Sequence, residues 1–117
     1  MTLRDALQAK SKDTEKADYS LISDGVDRYG ALEWVMRARR ADGIFRFVAA
    51  YEAPAADDGT TQFEIRGYIC DENGRYSDFV TRTGSLPDDD VMPALVADVY
   101  ETVEAMTAAH LQPPATS

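Results

Sequence analysis

Four dipeptides constrain this 117-residue chain more than anything else in it: Asp24-Gly25, Asp42-Gly43, Asp58-Gly59 and Asn73-Gly74. Each is of the kind that supplies the positive φ angles of tight hairpin turns. They stand 18, 16 and 15 residues apart, which leaves room for two strands to meet at each turn and predicts an antiparallel meander. Between the turns the pattern has period two, the signature of a strand. Phe45, Phe47, Ala49 and Tyr51 alternate with Arg46, Val48, Ala50 and Glu52, and Phe63, Ile65, Gly67 and Ile69 alternate with Glu64, Arg66, Tyr68 and Cys70. The stretch from Tyr76 to Thr83 alternates again. On this pattern Phe45, Phe47, Tyr51 and Phe63 face inward and are read as core, not as a platform on which bases stack. Upstream, Leu32, Trp34, Met36 and Ala38 fit a strand face, because the hairpin from Arg37 to Phe47 needs a partner. Residues 17 to 30 fit helix or strand, with Gly25 and Gly30 opposing a long helix.

A helix follows the meander. Met92, Leu95, Val96, Val99, Val103, Met106 and His110 recur at helical spacing, Pro93 fits the first turn, and Asp88, Asp89 and Asp90 suit its N-terminal end. The expected span is roughly 90 to 110. Thr2-x-x-Asp5 followed by Ala6 and Leu7 reads as a short capped helix. The fold expected is therefore α+β: a four- or five-stranded antiparallel meander, a short N-terminal helix, and a longer C-terminal helix on one sheet face. Residues 1 to 112 form one domain and residues 113 to 117, which begin Pro113-Pro114, a flexible tail. Phe47, Phe63, Ile65, Leu95, Val99 and Met106 are expected to be buried together.

Composition narrows function more than it identifies it. One Cys and one His cannot build a disulfide or a structural zinc site, so no cofactor or metal is expected. Cys70 lacks an evident base, His110 continues the apolar stripe, and no nucleophile elbow or Gly-rich phosphate loop is present. Asp71-Glu72-Asn73-Gly74 lacks the later ligands of a calcium loop and is read as a turn. Charged residues throughout the first twenty positions do not suit a secretory signal, so a cytoplasmic location without a membrane span is expected.

Charge distribution is the most informative functional feature. Residues 1–52 carry nine basic and nine acidic side chains, residues 53–83 three and six, and residues 84–117 none and six. All of the net charge of −9 thus arises after residue 52. On the terminal helix Asp98, Glu101 and Glu104 lie off the apolar stripe without a cation at i±3 or i±4. Arg37, Arg39, Arg40 and Arg46 flank the Asp42-Gly43 turn and are either the internal counterpart of those acids or a second candidate surface.

The function expected is that of a non-enzymatic acidic interaction protein, a small inhibitor of the immunity or phage-type anti-defence kind. It would dock Asp98, Glu101, Glu104, Asp57, Asp58, Asp71 and Glu72 on a basic, nucleic-acid-handling partner. Its own charge opposes direct nucleic-acid binding. A homodimer is a further reading, because basic and acidic patches on one chain are complementary. The alternatives are a small-molecule binder with an apolar pocket between sheet and terminal helix, and a carboxylate-based enzyme.

Overall fold

The computed structural model describes residues 3–13, 19–26, 30–40, 42–54, 57–86 and 91–112. Its sheet is the expected meander: β1 (Ser20–Val26), β2 (Leu32–Arg39), β3 (Phe45–Glu52), β4 (Thr61–Cys70) and β5 (Val80–Leu86), antiparallel and adjacent in chain order. Helix α1 (Leu3–Asp13) precedes it and α2 (Met92–Ala105) follows, with a short 3-10 turn at Ala108–His110. No described helix is long and apolar enough to cross a membrane. The expected cap residues Thr2 and Asp88 to Asp90, and the tail 113–117, lie outside the described residues.

Three of the four dipeptides form the turns expected of them, with Gly43, Gly59 and Gly74 at φ 79°, 83° and 81°. The preceding acid often does the local bonding. Asp42 accepts from the amide of Ile44 at 2.9 Å, and Asp58 from that of Thr60 at 3.0 Å. Asp24-Gly25 is a correction: it lies inside β1, where Asp24 opposes Trp34 and Gly25 opposes Glu33. The positive-φ glycine of the first hairpin is Gly30, at φ 85°. Residues 20–26, ambiguous by pattern, are a strand because β2 offers them a partner, and a bulge between Leu21 and Ser23 resets their alternation. The last strand also starts later than its alternation suggests, since Tyr76 makes only an isolated bridge to Cys70 before β5 begins at Val80.

Both helices pack on one face of the sheet. That face carries Trp34, Met36 and Ala38 of β2, Val48 and Ala50 of β3, and Phe63, Ile65 and Ile69 of β4, all buried. Helix α2 lays Met92, Val96, Val99, Tyr100 and Val103 on them. Helix α1 buries Leu3, Ala6 and Leu7, and its Leu7 carbonyl accepts the Tyr100 hydroxyl at 3.1 Å. Of the expected core, Phe63, Ile65, Val99 and Met106 are buried and Leu95 is half-buried.

Phe47 is not among them, because the two faces of β3 are the reverse of those its alternation predicts. Val48 pairs with Gly67 and Ala50 with Ile65 on the helix side, while Phe45, Phe47, Ala49 and Tyr51 line the opposite side. Space decides this. A Cβ on Gly67 would collide with Val103 Cγ2 and stand 2.7 Å from Val99 Cγ1, so α2 rests directly on the β4 backbone. Aromatic rings beside Gly67 would lift it off. Helix α2 also ends sooner than its apolar stripe, at Ala105, with Met106 already extended. The Met106 carbonyl accepts from Arg46 at 2.9 Å, and Thr107 and His110 close a capping box around the next turn.

Gly67→Ala is accordingly expected to destabilise the fold by about 1–3 kcal/mol through overpacking. Gly25→Ala, with nothing within 4 Å of the added carbon, should change the urea midpoint little.

Candidate docking surfaces

The acids expected to form one surface are dispersed by the fold. Asp57 and Asp58 occupy the β3–β4 turn and Asp71 and Glu72 the β4–β5 turn, so the ten residues of β4 separate them by roughly 30 Å. Asp58 accepts from both the amide and hydroxyl of Thr60, and the hydroxyl bond foremost holds its carboxyl below the usual aspartate range. Asp71 accepts from the amides of Asn73 and Arg75 and from Arg75 Nε at 2.7 Å, and these bonds, led by the Arg75 amide, depress its pKa likewise. Glu72 pairs with Arg39. Asp57 is exposed.

The three helix acids have three different environments. Asp98 meets Arg82 of β5 at 2.7 Å. Glu104 is drawn into the protein, where it pairs with Arg40, whose side chain is 3% exposed, and accepts the Tyr19 hydroxyl at 2.8 Å. Arg46 Nε stands 3.9 Å from the same carboxylate. Burial pushes the Glu104 carboxyl up, but the bonds from Arg40 and Tyr19 and the charges of both arginines prevail and hold its pKa low. Glu101 remains exposed. It lines a shallow cleft of about 490 Å³ with Asp98, Thr102, Ala105, Met106 and His110.

The sheet divides the arginine group in two. Arg40 and Arg46 are buried at the helix side, and Arg46 Nε and Nη1 have no hydrogen-bond partner among the described residues. Arg37 and Arg39 stand on the opposite face, with both guanidiniums 5.6 Å from the Phe45 ring.

That opposite face is the feature the sequence reading missed. Its central side chains form four rows across β2, β3 and β4, namely Glu33-Tyr51-Glu64, Val35-Ala49-Arg66, Arg37-Phe47-Tyr68 and Arg39-Phe45-Cys70. Phe47 and Tyr68 stack at 4.8 Å between centroids, and Phe79 meets Tyr68 edge-on at 5.1 Å. Arg66 lies over the rings of Tyr51 and Phe79 at 5.5 and 5.7 Å. Phe79 and Tyr76 are the most exposed aromatic residues described here, at 58% and 52%.

Cys70 is buried, and burial chiefly pushes its thiol pKa up, the reverse of an activated nucleophile. No group of three potential metal ligands occurs among the described residues. Where the alternative reading places an apolar pocket, sheet and α2 touch at Gly67. No protein-family model, curated protein or solved structure matches the chain.

Glu104→Gln should cost about 2–3 kcal/mol, because it leaves Arg40 buried beside a neutral group. The depressed native pKa also fixes a pH dependence. The Glu104 contribution is full above the ordinary glutamate range and is lost as pH falls through the native value. Urea titrations from about pH 7 to about pH 3 should therefore show a shallower loss of stability in the variant than in the parent protein.

Proposed function

We propose that the protein is a non-enzymatic, cytoplasmic interaction protein that docks its α2 side on a basic, nucleic-acid-handling partner and inhibits it, as small immunity or anti-defence proteins do. The observation that carries this reading is the one-signed charge of α2, which holds Asp98, Glu101 and Glu104 and neither lysine nor arginine. Residues 84–117 hold six acids and neither lysine nor arginine. Asp98 is tied to Arg82 of β5 and Glu104 to Arg40 just past β2, and these ties hold α2 in place while Glu101 and the open edge of Asp98 face the adjoining cleft. Glu101 is therefore the contact residue on which the interface centres. Asp57, Asp58, Asp71 and Glu72, at the two ends of the sheet, supply field more than contact, and field steers a basic partner from beyond bonding distance.

Glu101→Lys tests the reading without disturbing the fold, because Glu101 is exposed and lies off the apolar stripe. Affinity capture from the native host is expected to retain a basic partner on the parent protein and lose it on the variant, at equal melting temperature. Raising salt from about 50 to about 300 mM should weaken the complex as the Debye length shortens. Capture of the same partner by both baits with no salt dependence defeats the proposal.

A further inference from the structure

We infer that the helix-free face of the sheet is a homodimer interface, occupied by the same face of a second copy turned end for end. This inference does not depend on the basic-partner reading, since it uses the opposite side of the molecule.

The charge of this face suits self-association. Although the chain carries −9, this face holds Arg37, Arg39 and Arg66 against Glu33, Glu64 and the Arg39-paired Glu72. A locally neutral face can meet itself, and the acids of α2 would stay on the outside of the pair. The same balance disfavours a nucleic-acid strand, which needs a cationic track.

The placement of those charges selects one orientation of the two copies. Glu33 and Glu64 share one end row, whereas Arg37 and Arg39 occupy the two rows at the other end. A twofold axis running along the strands would set the glutamate row against itself. An axis running across them superposes each strand on its own copy reversed, which brings Glu33 to Arg39, Arg66 to Tyr68 and the small Ala49 to Phe47. Of the two, only this alignment pairs opposite charges and sets small against large along β3.

The face is also large enough. Five strands at about 4.8 Å, each roughly 25 Å long, give a footprint near 600 Å² per copy and about 1,200 Å² in total, above the ~1,000 Å² that a specific interface requires. Exposed aromatic rings interleaved with arginine are also the residues that dominate binding energy when covered. Sheets packed face to face stand about 10 Å apart, a gap that the rings of Phe47, Tyr68 and Phe79 can fill.

Analytical ultracentrifugation of the full chain tests this. The parent protein is expected to sediment as a concentration-dependent dimer. Phe79→Asp, at an exposed position on this face, should yield a folded monomer with little change in melting temperature. Glu33→Arg and Arg39→Glu should each weaken the dimer at least tenfold, and the two together should restore it by exchanging the signs across the interface. A parent protein that stays monomeric throughout the concentration series overturns the inference, as does a dimer indifferent to Phe79→Asp. A double variant that remains monomeric overturns the end-for-end alignment and with it the inference as stated.

Discussion

Helix α2 can lie on the sheet only because residue 67 has no side chain. Val99 and Val103 occupy the space that a Cβ there would need, so the helix approaches the backbone of β4 more closely than an ordinary strand permits. That approach sets the size of its neighbours: Val48 beside Gly67, with Ala38 and Ala50 on the same face. The large rings of β3 are thereby consigned to the other side, where Phe47 stacks on Tyr68. One glycine thus separates a face on which a helix is closely seated from one that no helix covers among the described residues.

A single carboxylate organises the other end of the helix. Glu104 receives Arg40 and Tyr19 and faces Arg46, while Tyr19 meets Tyr100 edge-on at 4.9 Å. Burial raises the tyrosine pKa values far above the usual range, which keeps both hydroxyls protonated as donors. The absence of a cation near Glu104 on its own helix is thereby explained, because its counterions come from β3 and from the residue that follows β2. Removing one ion from such a cluster leaves another buried and uncompensated, so the cluster fixes where the helix ends.

The architecture was largely legible in the sequence, and the faces were only partly so. Turn glycines specify hairpins locally, and the stripe from Met92 to Val103 specifies a helix, so order and pairing followed without tertiary information. The inward face of β3 did not follow. Phe45-Phe47-Tyr51 is more apolar than Arg46-Val48-Ala50, and burial by hydrophobicity alone chooses the wrong set. The discriminating signal was Gly67, an inward position without a side chain, which marks a close approach and asks for small neighbours. Asp24-Gly25 misled for a related reason: the same dipeptide serves a turn or a strand edge according to its partner. Among the acids, the sequence could show that Asp98, Glu101 and Glu104 lack helical counterions, but not that long-range pairs claim the first and last.

The hydroxyl of Tyr100 reaches the carbonyl of Leu7 across 93 positions of chain, and this joins two segments that leave the ribosome far apart in time. Each strand pairs with its sequence neighbour, so the sheet can assemble as synthesis proceeds. Helix α1 cannot complete its packing until α2 has left the ribosome. A chain interrupted between the end of β5 and residue 100 would carry a finished sheet with its apolar layer uncovered, a client for chaperones and proteases instead of a smaller working domain.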